Sequence, residues 1–246
     1  MVDQIFPPFR FSRKDHLHPR NPLGFYDSTA GQEESIDLQI AHGMAPEAAL
    51  VTIFAAESSD PSIVVALRTL VANRLASLVS NSFGSPLYGP SGFFRQGRHT
   101  AYRGRKAQLA AYEEIFLQAA CTGVGMYFST GDNGARGNDP SGPTPSWPAS
   151  SPWVTAVGGT GMALGEQGQY IREFPWGHQY CKHYADKGKK VCDFVNGGGG
   201  GVSTYTGTPF FQQRHDVAEQ LAASGWGKHG GRVVPDVAAL ADPSTG

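Results

Sequence analysis

The sequence predicts an α/β fold with a parallel sheet flanked by helices. Three observations predict it. Short, uninterrupted apolar runs at 48–56, 77–84 and 124–129 suit strands buried on both faces. Segments of helical length separate them, one opening at Asp60-Pro61 and one broken at Gly123. Strand–helix–strand–helix–strand at this spacing argues for parallel strands joined by right-handed crossovers. In such sheets, sites gather at the carboxyl ends of strands. Two loops leave strand ends there, after Phe83 and after Ser129.

Residues 1–30 read as an irregular N-terminal segment, with Pro7, Pro8, Pro19 and Pro22 and no strand or helix of normal length. The stretch 31–43 reads as one short helix with Gly43 as its C-terminal stop. Glu33 and Asp37 stand at i and i+4, so both carboxylates leave one face. Ile36 and Ile40 share another face, with Leu38 beside it. Two acids on one face repel by a few tenths of a kcal/mol. The pair is either a solvated acidic face or a coupled acid pair in which one carboxyl raises the other's pKa.

The run 48–56 follows as a buried strand, then a helix from Asp60, its N-cap, to about Asn73. The strand 77–84 runs into a Pro/Gly-rich loop holding Arg95, Arg98 and Arg103. The segment 104–122 has helical periodicity in Leu109, Tyr112, Ile115, Phe116 and Ala119. After the strand 124–129, Asp132 lies in a Gly-flanked loop, which by itself reads as a turn. A Pro/Ser loop (139–152), a strand (153–160), a hairpin (170–176) and a loop between Cys181 and Cys192 come next. The glycine run 197–201 does not match G-x-G-x-x-G and enters Val-Ser-Thr-Tyr rather than a helix, which argues against a phosphate cradle. A helix over 209–224, carrying Val217 and Leu221, precedes the final stretch 233–246.

Composition excludes some function classes. Across 246 residues the net charge is −1, so nothing points to nucleic acid or an anionic membrane as partner. Only 17% of residues are charged and 32 are Gly, which suits tight turns and long loops. No apolar run approaches the ~20 residues that span a bilayer. The first residues lack the basic and apolar regions of a signal peptide. Cys121, in an apolar helical stretch, is expected to be a buried free thiol. Cys181 and Cys192 bracket a Lys-rich loop and either close it as a disulfide or, with His183, form a metal site lacking a recognisable fourth ligand.

Six segments, in order, resemble the sedolisin family, the serine-carboxyl peptidases of subtilisin-like fold. They are Gly31-Gln32-Glu33 through Asp37-Leu38-Gln39, Val79 to Gly84, Ser129 to Gly134, Pro148 to Thr160, Gly198-Gly199-Gly200 through Ser203, and Arg232 to Ala238. The resemblance spans most of the chain from residue 31 onward and implies roles. Glu33 would be the general base for a catalytic serine, and Asp37 would orient Glu33. Asp132 would point into the oxyanion hole, and Ser82, Phe83 and Gly84 would bind the substrate backbone as an added strand.

The chain also departs from the family. The family's nucleophile lies in a Gly-Thr-Ser segment downstream of Pro235-Asp236-Val237, and Ser244 matches the family's turn rather than that segment. The family's Ca2+ site is also implied to lie beyond Gly246, leaving no metal ligands here. The first core strand and helix of the family have no counterpart in 1–30. Phe83 stands where many relatives carry Trp. The expectation is a subtilisin-like sheet truncated at both ends, with 31–246 a partial peptidase catalytic domain. It would come from a secreted, monomeric, acid-acting serine-carboxyl endopeptidase on peptide or protein substrates, with no nucleic-acid or membrane partner. This chain alone would be inactive. The rival readings are a non-catalytic peptide-binding protein using the Ser82–Gly84 groove and a carboxylate-dependent glycosidase. Carboxyls adjacent on a helix are poorly placed for the latter.

Overall fold

The computed structural model describes residues 28–55, 59–84, 100–136, 145–184, 189–203, 205–214, 216–217, 219 and 230–245. In chain order the helices are α1 (Ser28–Met44), α2 (Asp60–Ala72) and α3 (Thr100–Thr122). The strands are β1 (Leu78–Asn81), β2 (Gly125–Ser129), β3 (Thr155–Leu164), β4 (Tyr170–Pro175), β5 (Gly177–Tyr184), β6 (Lys189–Gly197), β7 (Gly201–Val202), β8 (Val233–Val234) and β9 (Val237–Leu240). β1, β2 and β3 run parallel as neighbours, and β9 pairs with β3 in parallel. β4 folds back antiparallel on β3, so among the described residues the main sheet has five strands and is mostly parallel, as expected.

The core follows from periodicity. Leu109, Tyr112, Ile115, Phe116 and Ala119 recur every three or four residues, and all are buried on one face of α3. Phe116 meets Phe128 of β2 edge to face at 5.2 Å. Leu67, Leu70 and Val71 of α2 join the same cluster. Each such side chain contributes about 1.5–3 kcal/mol when fully buried. Cys121 is exposed, not buried as expected. It lies two residues beyond Ala119, roughly 200° around the helix from the core face. Gly123, at φ +75°, ends α3 in the left-handed region.

Several elements differ from the sequence expectation. α1 starts at Ser28 and passes through Gly43 to Met44. It stops there because Pro46 disfavours helical geometry in the residue before it. Ile36 and Ile40 are exposed on its surface. The run 48–56 forms no strand over its described residues 48–55. Ile53 packs against the core by its side chain, and among the described residues the segment has no ladder partner to make it a strand. The cap of α2 is Ser59, with Asp60 inside the helix accepting a hydrogen bond from Tyr112 at 3.0 Å. The strand expected at 153–160 starts later and runs to Leu164, where β4 continues it as a hairpin. The Cys181–Cys192 segment is itself a hairpin, β5 with β6, in which the two cysteines are directly opposite and form a disulfide. The helix expected over 209–224 begins as a short 3-10 turn, Phe210–Gln212. Most of the remainder lies outside the described residues, as do Arg95, Arg98 and nearly all of 1–30.

Glu113 links α3 to the turn before β3. It accepts a hydrogen bond from the buried Ser151 hydroxyl at 3.1 Å. Burial pushes its carboxyl up to about 7, against a smaller opposing pull from Ser151. A raised acid binds its proton more tightly in the folded state. Stability is therefore highest below the unfolded value and declines as pH rises towards 7. Glu113→Gln is expected to match the parent at pH 4 and to melt a few degrees higher above pH 7. Thermal melts across this range check it, and parallel melting curves for the two proteins would refute it.

Candidate functional site

The site is built from one helix and two strand ends. α1 carries Glu33 and Asp37 one turn apart on one face. β1 ends at Asn81, and Ser82 is the next residue. β2 lies alongside in parallel, with Asn81 opposite Phe128, and Asp132 follows three residues after its end. Parallel neighbours end at the same edge, so the loops bearing Ser82 and Asp132 emerge together.

The side chains converge. The Ser82 hydroxyl donates to Asp37 Oδ1 at 2.7 Å. Burial is the main cause raising the Glu33 carboxyl above its ordinary value. The negative charges of Asp37 and Asp132 push the same way, while a hydrogen bond from Ser82 pulls against them. Burial and Asp37 also raise the neighbouring Glu34. Ser82 is thus bonded to Asp37, and Glu33 senses the charges of Asp37 and Asp132. Among the described residues, no three His, Cys, Asp or Glu side chains form a metal-ligand set.

Backbone contacts fix the Asp132 loop. The Thr130 N–H donates to the Val157 carbonyl at 2.9 Å, and the Gly197 N–H donates to the Asp132 carbonyl at 2.8 Å. The Gly199 N–H donates to the Gly131 carbonyl at 2.7 Å. A Cβ on Gly199 would sit 1.8 Å from the Thr130 carbonyl oxygen, so only glycine allows this approach. The glycine run therefore serves to pack chain against chain beneath the acid loop. Gly197 also belongs to β6, so the disulfide-bonded hairpin braces this loop from the side.

Of the three residues expected to bind substrate, Ser82 reaches Asp37. Phe83 packs edge to face on Phe128 at 5.5 Å and belongs to the rim of the core. Gly84 passes the Trp147 carbonyl, which a Cβ would meet at 3.1 Å. The β1–β2 ladder ends at Asn81, so 82–84 lies just past the paired strand. Sequence reasoning missed the Ser82 side chain and the bracing hairpin. The only sequence signal for the hairpin was the cysteine pair.

No family model matches the chain. Kumamolisin of a Bacillus species is 32% identical over 232 residues, covering 92% of this chain and 35% of kumamolisin. Sedolisin of a Pseudomonas species is 34% identical over 145 residues, covering 56% of this chain and 21% of that protein. Rat tripeptidyl-peptidase 1 is 33% identical over 135 residues, covering 52% of this chain and 20% of its own length. The chain thus spans about a third or less of each of these relatives. A solved structure of Pseudomonas sedolisin, a serine-carboxyl proteinase complexed with two molecules of pseudo-iodotyrostatin, matches with a TM-score of 0.65 and 26% identity. The match covers 90% of this chain and 54% of that one, and it supports a subtilisin-like α/β fold.

Proposed function

We propose that the chain belongs to the sedolisin family, to members of which it is similar over much of its length, and that it supplies the acid half of a serine-carboxyl peptidase site. One observation carries the reading: the Ser82 hydroxyl, just past the carboxyl end of β1, donates to Asp37 on the face of α1 that also carries Glu33, and Glu33 senses the charges of Asp37 and Asp132. Three carboxyls gathered beside a backbone segment suit proton transfer on a peptide.

In this reading Glu33 is the general base. It takes the proton from a serine hydroxyl as that oxygen attacks the peptide carbonyl, and returns it to the leaving amine. The resulting acyl-enzyme ester is cleaved by water through the same base. Asp37 orients Glu33, and Asp132 donates a hydrogen bond to the carbonyl oxygen as it gains charge. A carboxyl donates only when protonated. A carboxylate base has an ordinary pKa near 4.3. Both roles therefore favour acid conditions. The segment 82–84 pairs with the substrate backbone as an added strand.

The attacking serine is not among these groups. No Gly-Thr-Ser segment occurs in the 246 residues, and no step in this scheme uses calcium. The disulfide supports a secreted setting, since such bonds persist in oxidising compartments. Among the described residues, no helix is long and apolar enough to cross a membrane.

The test is peptide binding and cleavage at pH 4, with this chain and with any longer product of its gene that carries Gly-Thr-Ser. Binding without cleavage by the 246 residues, and cleavage by the longer form, is expected. Cleavage by the short chain that disappears in Glu33→Gln would refute the assigned lack of turnover. Peptide binding indifferent to loss of both Glu33 and Asp132 would favour a plain peptide-binding protein instead.

A further inference from the structure

We propose that His178 is a positioning residue for the Asp132 loop, which it fastens to the turn after β9 through the β5–β6 hairpin. The inference rests on the peptidase reading only for its catalytic consequence. The mechanical link is a property of the contacts themselves.

The fixed end is Asp242. Its side chain is almost wholly buried, and a buried carboxylate is costly unless it is paired. The Ser244 N–H donates to Oδ1 at 2.9 Å, and His178 Nε2 stands 3.1 Å from the same oxygen. The Asp242 N–H donates to the Thr160 carbonyl at 3.1 Å, so the residue is tied to β3 just past the end of β9. Oδ2 lies over Gly161, where a Cβ would sit 2.8 Å away. Asp242 therefore has little room to follow the hairpin.

The other end is the hairpin. His178 is the second residue of β5, opposite Asn196 and next to the Gly177–Gly197 pair. The following residue, Gln179, pairs with Phe194, so Val195 is extra on β6, and such a bulge re-aims the side chains beside it. From Gly197 the contacts run to the acid loop. Its N–H donates to the Asp132 carbonyl at 2.8 Å, and it forms a bridge with Asn133. The Phe194 ring covers Gly134, where a Cβ would meet it at 3.1 Å. A Cβ on Gly197 would lie 2.8 Å from the Trp176 carbonyl oxygen, so the two strands are too close there to slide. Holding His178 therefore holds Gly197, and Gly197 holds Asp132. At the base, the Trp176 N–H donates to the Gly159 carbonyl and the Gly198 N–H to the Trp176 carbonyl. These backbone bonds leave the hairpin free to tilt about its base, and the His178 contact stops that tilt.

The experiment is amide hydrogen exchange by NMR on the 246-residue chain and its variants, at acid pH where imidazoles ordinarily carry charge. The Gly197 and Gly199 N–H groups, which donate to the Asp132 and Gly131 carbonyls, report the contact between hairpin and loop. Those of Val124 and Gly125, which donate to the Ala119 and Ser77 carbonyls, report the rest of the fold. His178→Ala is expected to speed exchange at Gly197 and Gly199 by about tenfold or more and to leave Val124 and Gly125 as in the parent. Asp242→Asn is expected to do the same, and the double variant no more than either alone, because both remove one ion pair. His178→Gln, which keeps a side-chain donor, is expected to restore most of the protection. Unchanged exchange at Gly197 and Gly199 overturns the proposal, as does an equal rise at all four amides or additive effects in the double variant. If His178→Ala does not fold, the same amides are read in Asp242→Asn against the same outcomes. In a form with turnover, His178→Ala is expected to lower kcat by up to about 10²-fold with KM unchanged, since it displaces Asp132 without touching substrate. A local rise in exchange in a protein that cleaves peptides in no form would leave the link standing and remove the peptidase reading.

Discussion

Replacing Arg232 by alanine is expected to destabilise the protein by about 3 kcal/mol, the low end of the range for breaking a buried ion pair, because Asp236 keeps some access to water. Arg232 is wholly buried. Its guanidinium forks onto Asp236, with Nη1 on Oδ1 at 2.7 Å and Nη2 on Oδ2. Nη1 also donates to the Val233 carbonyl at 2.7 Å, and Nε donates to the Ser151 carbonyl at 3.3 Å. The Phe211 ring lies 5.4 Å from the cation. Asp236 in turn accepts the Ala156 N–H at 2.8 Å. These bonds join the turn before β3 to the entry of β9, so the register of Val157 against Val237 depends on them. Alanine would leave a carboxylate without its cation and buried carbonyls without donors, the costly kind of deletion. Lysine keeps the charge but cannot form the fork, and is expected to recover less than half of the loss. Urea unfolding measures both, and the melting temperature of the alanine variant should fall by roughly 10 °C. A loss below about 1 kcal/mol would mean that desolvation of the pair had already cancelled its attraction.

Arg232 shows what a sequence hides. Its segment was recognisable, yet nothing in Arg-Val-Val-Pro-Asp says that the guanidinium is buried, because burial depends on how 145–156 folds over it. The candidate site was more legible. The i,i+4 spacing of Glu33 and Asp37 requires only that 31–43 be helical. Asp132 stood at the end of an apolar run, where parallel sheets put their loops. That these loops meet depends on β1 and β2 being neighbours, which periodicity alone does not give and the order of the family segments did. The role of the Ser82 side chain was not legible. Residues alternate faces along a strand, so its direction depends on where β1 stops, and the strand stops at Asn81 rather than at Gly84. The run 48–56 failed for a related reason: apolar composition reports burial, whereas a strand also needs a neighbour to bond. The error at Cys121 was one of helical phase, since an apolar helix still has an outer side.

Glu33→Gln is expected to lower kcat/KM for peptide cleavage by roughly 10⁶-fold in a form of the protein that carries the nucleophile, as loss of the base does in other serine peptidases. The substitution keeps size and shape while removing the ability to accept a proton, so folding should be unchanged. Asp37→Asn should cost less, because it removes an orienting partner and leaves the base in place. Asp132→Ala should cost about 10²–10³-fold, the scale of one lost oxyanion donor. Asp132→Asn should recover part of that, since an amide still donates. The pH profile supplies the sign. In the proposed role Glu33 can accept a proton only when ionised, and burial with the charges of Asp37 and Asp132 holds its carboxyl above the ordinary range. The rate should therefore climb with pH through that raised midpoint. Stopped assays on an unstructured peptide, from pH 3 to pH 7, read this limb. If Glu33→Gln kept more than a tenth of the parent rate, the proton would have to go elsewhere, and the acid cluster would be serving structure instead of chemistry.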